Sequence, residues 1–129
     1  MNDDTYDKGL EIRRATLGDA YVDKALANSD AFSDDFQKLV TTYCWGEIWG
    51  RDGLDRKTRS TINLAMISAL NRPHELAAHV RGAINNGLTP DEIKEILLQV
   101  GIYCGVPAMV DSFRIAREVL TELGELDER

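Results

Sequence analysis

The sequence predicts an all-α protein, built as a single-domain bundle of about six helices. Apolar residues recur at intervals of three and four along most of the chain, which is the spacing of one helix face. The alternation of valine, threonine and tyrosine with polar residues that is typical of strands is missing, and the 129 residues include only three prolines. We predict one domain over 1–129, with an N-terminal helical arm over 1–30 and a core over 33–123.

The composition argues against several classes of partner. The formal net charge is −7 at pH 7, and lysine and arginine form no run, which argues against nucleic acid and anionic membranes as partners. No segment approaches roughly 18 consecutive apolar residues, and the N-terminus lacks the basic flank and apolar run of an export signal. We therefore expect a cytoplasmic protein.

The two cysteines, Cys44 and Cys104, lie far apart and do not form the C-x-x-C spacing of redox and zinc sites. We expect each to be a reduced, buried thiol. For Cys104, a place in the core is favoured over a role as a nucleophile, because no base lies near it in the sequence.

Two helices are predicted at the N-terminus, over about residues 4–17 and 20–27. The first ends at Gly18, and the second ends before a polar loop that includes Asn28 and Asp30. We expect both helices to serve in packing, as an arm that contacts another subunit.

The next helix is expected to begin after Ser33 as its N-cap and to end near Gly50. One stripe of this helix carries Phe36, Val40, Tyr43 and Glu47. A carboxylate on a core face is costly, so Glu47 should have a raised pKa or meet a cation or a hydrogen-bond donor. The alternative is that Glu47 reaches solvent at the helix end or pairs with Arg51.

Trp45 and Trp49 are i, i+4 neighbours on the side of this helix opposite to Glu47. The helix would then have two apolar sides. We expect the tryptophan side to face another subunit, because aromatic residues are enriched at interfaces.

Asp55 is expected to cap a central helix over 56–70 that is apolar nearly all round. Its first turns hold Arg56, Lys57 and Arg59, although the helix dipole disfavours cations there. These cations either bind an anion or are simply solvated. Arg59 is expected to point inward most, because it adjoins the apolar run.

A short helix with defined ends follows, in which Pro73 takes the first turn and Gly87 closes the helix in a left-handed conformation. Its apolar stripe consists of Leu76, Val80 and Ala83. His79 lies about 60–70° from the centre of that stripe, so we expect it to be partly buried. It is either a histidine at the core edge, satisfied by a neighbour, or a functional group.

The last two helices have clear start signals. Thr89 and Glu92 form the pattern of a capping box, with Pro90 in the first turn, and Pro107 opens the final helix. The charged tail over 124–129 is expected to fray.

Four stretches together resemble the γ-carboxymuconolactone decarboxylase family. They are YCWGEIW at 43–49, LDRKTRS at 54–60, HVRGAINNG at 79–87 and IYCGVPA at 102–108. The likeness covers nearly the whole chain and is weakest over the N-terminal arm. Alkylhydroperoxidase D type proteins of the wider superfamily carry a C-x-x-C just before the matching histidine. This chain has Arg72 to Glu75 there, so disulfide-based peroxide reduction is not expected.

The resemblance implies an alkylhydroperoxidase D-like helical fold that assembles into a ring-like homo-oligomer, a trimer or a hexamer. It also implies the decarboxylation of a small lactone carboxylate, γ-carboxymuconolactone, in the β-ketoadipate pathway of aromatic catabolism. The lactone carbonyl can accept the electrons that CO2 leaves behind, so no cofactor and no metal are expected. The alternatives are a decarboxylase or isomerase of a related lactone, and a catalytically silent oligomer that binds a small acid.

The resemblance and the residue types together suggest a set of site residues. His79 is expected to deliver a proton, because its ordinary pKa lies near neutral pH, and Glu47 either orients and charge-balances His79 or is itself the acid. Guanidinium groups bind carboxylates in a planar fork, so the expected substrate clamps are Arg51, Arg59, Arg72 and Arg81. Tyr103 and Cys104 are expected to line the floor of the pocket.

Overall fold

A computed structural model describes residues 3–127, and the all-α prediction is confirmed over that range. The described helices are α1 (Asp3–Leu17), α2 (Asp19–Ala27), α3 (Asp34–Leu39), a π-helical segment (Val40–Ile48), α4 (Arg56–Leu70), α5 (Pro73–Asn85), α6 (Pro90–Cys104) and α7 (Val106–Glu122). The described part thus contains seven α-helices where about six were expected. Within it, no helix is both long and apolar enough to cross a membrane.

The chain forms two compact units, Met1–Asp55 and Arg56–Arg129. The division falls after the π-helical segment, and α1 packs along that segment within the N-terminal unit. The predicted arm over 1–30 and core over 33–123 stay predictions. The prediction of one domain over the whole chain stays a prediction, and each unit is described by itself below.

In the N-terminal unit, the backbones of α1 and the π-helical segment approach closely. A Cβ on Gly9 would collide with the carbonyl oxygen of Thr41 and lie 2.8 Å from the backbone nitrogen of Gly46. A Cβ on Gly46 would in turn lie 2.5 Å from the carbonyl oxygen of Thr5. Glycine is required at both positions because any side chain would force the two helices apart.

The buried side of the π-helical segment differs from the one we predicted. Thr41, Trp45 and Trp49 are buried at intervals of four, and the two tryptophan rings are in contact, with centroids 4.8 Å apart and planes tilted by 32°. Residues four apart lie on one side of a helix, so these three side chains form one buried stripe. The expectation that the tryptophans face another subunit was wrong, because the chain itself buries them.

The predicted core stripe of this helix faces outward. Val40 is half-buried, and Phe36, Tyr43 and Glu47 are exposed. At roughly 100° per residue this stripe lies opposite the tryptophans, so the chain buries the tryptophan side and leaves the predicted side exposed. Ser33 does not cap α3 through its side chain either, and its Oγ instead accepts a hydrogen bond from the backbone of Asp30.

The C-terminal unit packs its core among α4, α5, α6 and α7. The predicted stripe of α5 is buried there, and the core cluster consists of Leu64, Leu76, Val80, Ala83, Leu88, Ile93, Leu97, Ile115, Ala116, Val119 and Leu120. Each of these four helices thus contributes an apolar face to one shared core, as amphipathic helices do.

Two polar motifs hold the ends of these helices. The capping box is confirmed, since the Thr89 hydroxyl accepts from the Glu92 backbone at 3.1 Å and the Glu92 carboxylate accepts from the Thr89 backbone at 3.0 Å. Asn86, after the last turn of α5, donates to the buried Ser60 hydroxyl of α4 at 3.0 Å. Gly87 then reverses the chain at φ 98°. The Asn-Asn-Gly motif therefore fixes α5 against α4.

Candidate active site

His79 lies at the edge of the buried face of α5, half-buried as predicted. Burial lowers the pKa of its imidazole to about 4, and the negative charge of Glu75 acts in the opposite direction. The expectation of a pKa near neutral was wrong. Packing removes hydration that the cationic form of the imidazole needs, so His79 is neutral at pH 7.

Glu75 is a charged neighbour of His79 that we did not single out from the sequence. It lies one helical turn before His79, and its charge favours protonation of the imidazole. The i, i+4 spacing on a helix was the available signal. Glu75 is exposed, so solvent weakens its effect on His79.

Glu47 is exposed in the second half of the π-helical segment, in the N-terminal unit. The expectation that it lies on a core face was wrong, because the chain buries the opposite side of this helix, which carries Trp45 and Trp49. Of the two alternatives, the exposure of Glu47 favours a carboxylate that reaches solvent.

The four arginines proposed as carboxylate clamps differ in burial. Arg51 and Arg72 are exposed, whereas Arg59 and Arg81 are half-buried. Arg81 Nη2 lies 3.9 Å from a carboxylate oxygen of Glu122, at the limit of an ion pair. Arg59 is the most buried of the three cations in the first turns of α4, as expected from its position beside the apolar run.

A groove of about 410 Å³ runs along α4 and α6. It is lined by Thr61, Ile62, Ala65, Met66, Ile96, Gln99, Val100, Tyr103 and Cys104. Tyr103 and Cys104 thus contribute to this groove, although both residues are exposed, and their place at the floor of a substrate pocket stays a prediction. His79 is not among the described lining residues.

Both cysteines are free, but both are exposed and not buried as predicted. Cys104 lies in the last turn of α6, beyond the buried part of that helix. The described residues contain no group of three or more His, Cys, Asp or Glu side chains that could hold a metal ion.

Comparison with known proteins places these elements in a family. The model of the carboxymuconolactone decarboxylase family matches residues 34–118, a range that begins with α3 and ends within α7. The 4-carboxymuconolactone decarboxylase of Acinetobacter baylyi is 42% identical over 130 residues, which span 100% of this chain and 97% of that protein.

Two further relatives are similar over different parts of the chain. The nitrosuccinic acid decarboxylase of Metarhizium robertsii is 39% identical over 118 residues, or 92% of this chain and 82% of that protein. A 4-carboxymuconolactone decarboxylase of Pseudomonas putida is 43% identical over 42 residues, or 33% of this chain and 88% of that sequence. Because the family model matches residues 34–118 and a relative is 42% identical over the whole chain, the chain belongs to the carboxymuconolactone decarboxylase family.

Proposed function

We propose that the protein decarboxylates γ-carboxymuconolactone to β-ketoadipate enol-lactone without a cofactor, in the catabolism of aromatic compounds. The observation that carries this proposal is the likeness to a 4-carboxymuconolactone decarboxylase, which extends over the whole chain. The neutral, half-buried imidazole of His79 supports it, because a perturbed histidine is typical of a catalytic site.

The substrate supplies its own electron sink. When the bond between the ring carbon and its carboxylate breaks, CO2 leaves. The electron pair moves through the ring double bond onto the carbonyl oxygen of the lactone. The dienolate then takes a proton at the ring carbon next to the carbonyl. The enzyme therefore has to bind two carboxylates, stabilise the growing charge on the lactone oxygen and deliver one proton.

His79 is the proposed proton donor. Its pKa of about 4 belongs to the free enzyme, and a bound substrate with two negative charges raises the pKa of a nearby imidazole. Substrate binding would thus draw a proton onto His79 from solvent, and the imidazolium would pass that proton to the ring carbon. Because the charge of the substrate is needed to raise the pKa of His79, the imidazole would be cationic only while substrate is bound.

The other proposed roles follow from chemical type. Glu47 is the second acid–base group. Arg59 and Arg81, the two half-buried arginines, are the preferred clamps for the acetate carboxylate, with Arg51 and Arg72 as exposed alternatives. A clamp on the departing carboxylate should bind less tightly, because binding that persists unchanged into the transition state does not accelerate the reaction. Tyr103 and Cys104 would line the pocket.

The protein is further proposed to act in the cytoplasm as a trimer or a hexamer. Several bulky apolar side chains remain exposed in the chain by itself, including Ile102 at 83% and Tyr103 at 82%. Exposed apolar residues in this number are typical of surfaces that another subunit covers.

The test is a spectrophotometric assay of the purified, metal-stripped protein with γ-carboxymuconolactone made in situ, following CO2 release and enol-lactone formation. The wild type should turn the lactone over. His79→Ala and Glu47→Gln should each reduce kcat by about a hundredfold or more. His74→Ala is the matched control, because His74 is exposed on the same helix, and it should retain full activity.

A second substrate separates the reaction from the substrate assignment. Nitrosuccinate belongs in the panel, because a relative matched over 92% of this chain is named as its decarboxylase. Turnover of nitrosuccinate without turnover of the lactone would refute the proposed substrate. No decarboxylation of either compound by the folded, oligomeric protein would refute the proposed function.

A further inference from the structure

Another concave surface of the C-terminal unit lies between α6 and α7, and we call it the α6–α7 groove. It encloses about 140 Å³, and none of the residues proposed for the active site is among its described lining residues. Its floor consists of core side chains that are 1–4% exposed: Ile93, Leu97, Ala116 and Leu120. The groove therefore reaches down to the apolar core itself.

Two half-buried side chains, Phe113 and Leu126, form the walls of the α6–α7 groove and pack against the core. Leu126 belongs to the segment after α7, which folds back over the helices. Gly124 allows this reversal with a φ of 74°, and the backbone N–H of Glu125 donates to the carbonyl oxygen of Leu120 at 2.8 Å. The groove is thus formed by the folded chain with its C-terminal segment in place.

The mouth of the α6–α7 groove is basic. Lys94 and Arg117 complete the lining, and both are exposed. No acidic side chain is among the described lining residues, although the chain has 22 acidic and 15 basic residues. Within the part of the chain that the structure describes, Arg117 makes no ion pair. Both cations face an apolar floor, so the groove is complementary to an apolar molecule with one negative charge.

Neighbouring acids limit the strength of this attraction. Lys94 lies 3.7 Å from Asp91, whose side chain is 94% exposed, and such an exposed pair is weak. Glu125 and Asp127 lie on either side of Leu126 and are exposed. These charges reduce the affinity for an anion, and we therefore expect weak binding.

The size and chemistry of the α6–α7 groove select the body of the ligand. An apolar cavity of about 150 Å³ lined by leucine, isoleucine and phenylalanine holds one benzene molecule, so 140 Å³ is enough for a single six-membered ring. Phe113 offers an aromatic contact to such a ring. A guanidinium and an ammonium both bind carboxylates. A molecule with a second carboxylate fits poorly, because that charge would meet the apolar floor.

We propose that the α6–α7 groove binds a single-ring aromatic monocarboxylate of the benzoate class. The ring lies against Phe113 and the core floor, and the carboxylate lies between Lys94 and Arg117. This site does not rest on the proposed decarboxylation, since it uses none of the residues assigned to that reaction. A ligand that binds the folded chain alone also stabilises it.

Binding is measured by ¹⁹F NMR titration of the full-length protein with 4-fluorobenzoate. We expect saturable binding with a Kd of about 1 mM, as is reasonable for so small a ligand at a partly open site. Unlabelled benzoate should compete. The neutral analogue 4-fluorobenzamide should bind about fivefold or more weakly, because it lacks the charge that the two cations recognise.

The cations are tested by variants that keep side-chain length. Lys94→Gln and Arg117→Gln should each weaken binding of 4-fluorobenzoate by about threefold, and the double variant by about tenfold. Arg114→Gln is the matched control. Arg114 is a cation of the same helix as Arg117, pairs with Asp111 and Glu118, and is outside the groove lining, so its variant should keep the wild-type affinity.

The floor is tested by filling it. Ala116→Leu places three more carbon atoms where the ring would lie, and it should abolish binding of 4-fluorobenzoate. Benzoate at ten times its Kd should raise the Tm of the wild type, whereas sodium acetate at the same concentration should not. If Ala116→Leu does not fold, the double variant of Lys94 and Arg117 decides by the same titration.

Four outcomes would overturn the inference. They are the absence of saturable binding at ten times the expected Kd, equal affinities for 4-fluorobenzoate and 4-fluorobenzamide, full affinity in the double charge variant, and loss of binding in His79→Ala with no loss in the groove variants. The last result would place the ligand at the proposed active site. A change in sedimentation mass in Ala116→Leu would mean that a second copy of the chain covers the groove, and this too would overturn the assignment.

Discussion

His79 links the packing of α5 to the pH dependence of stability. Its pKa is about 4 in the folded chain against an ordinary value of 6.5, so between these values the unfolded chain binds the proton more readily. The free energy of unfolding should therefore fall as the pH falls through this window. The expected loss from His79 between pH 7 and pH 5 is about 2 kcal/mol.

The measurement is urea unfolding of the wild type, His79→Gln and His74→Gln at both pH values and at one protein concentration. His79→Gln should lose much less stability than the wild type on acidification, and His74→Gln should behave like the wild type. An equal loss in the wild type and His79→Gln would contradict the low pKa. The pKa of Glu92 is lowered mainly by its hydrogen bond to Lys57. The stability that Glu92 contributes is therefore lost only as the pH falls below its ordinary pKa of 4.5, outside this window.

The location of His79 could be predicted from the sequence, but its pKa could not. The helical period of Leu76, Val80 and Ala83 fixes its angle to the core and needs no tertiary information. The pKa depends on how many neighbours remove water from the imidazole, and those neighbours come from other helices. For the same reason the burial of Arg13, which lies in α1 and is only 6% exposed, could not be predicted. Nothing in the local sequence marks an arginine, which usually lies at the surface, as buried.

The largest error in the sequence-based prediction is the choice of the buried side on the helix that carries Trp45 and Glu47. Both sides carry apolar residues, so the α-helical period separates them but does not decide which one is buried. We predicted Phe36, Tyr43 and Glu47 on the core side and the tryptophans outside, and the structure reverses both. The ends of α5 and α6 were predicted well, because proline, glycine and the capping box act locally. The buried side is the one that packs against α1, and local patterns do not contain that contact.

Gly9 tests that packing. In Gly9→Ala the new methyl group would overlap the carbonyl of Thr41, which is backbone and cannot rotate away. We expect a loss of about 3 kcal/mol or more in the free energy of unfolding, together with a change in tryptophan emission. Gly53→Ala is the matched control, because nothing lies within 4 Å of its added Cβ, and it should change stability by less than about 1 kcal/mol. Similar urea midpoints for both variants would show that the two backbones do not approach so closely.

The capping box of α6 offers a second, smaller test of an element. Thr89→Ala removes the hydroxyl that accepts from the Glu92 backbone, and it should cost about 1 kcal/mol in the free energy of unfolding. Thr61→Ala is a suitable control, since the Thr61 hydroxyl bonds to a carbonyl within its own helix and caps nothing. Equal urea midpoints for Thr89→Ala and the wild type would argue against the cap as a source of stability.

In the proposed oligomer, the exposed apolar surface of each chain favours association and its net charge of −7 opposes it. Around the turn between α6 and α7, four bulky side chains are more than half exposed, and we call them the junction patch: Ile102, Tyr103, Val106 and Val110. Burial of this patch between copies would favour association, whereas the negative charge of each copy would oppose it. Salt screens the charge and leaves the apolar term, so association should strengthen as sodium chloride rises.

A charge in the junction patch should therefore break the assembly. We expect Ile102→Lys to lower the mass measured by sedimentation equilibrium from that of a trimer or hexamer toward the monomer, because a buried lysine without a partner is costly. Leu123→Lys is the matched control. Leu123 follows the other end of α7 and is less exposed, so its variant should keep the wild-type mass. An unchanged mass for Ile102→Lys at low and high salt would mean that subunits meet through another surface, and a wild type that sediments as a monomer under all conditions would refute the proposed oligomer.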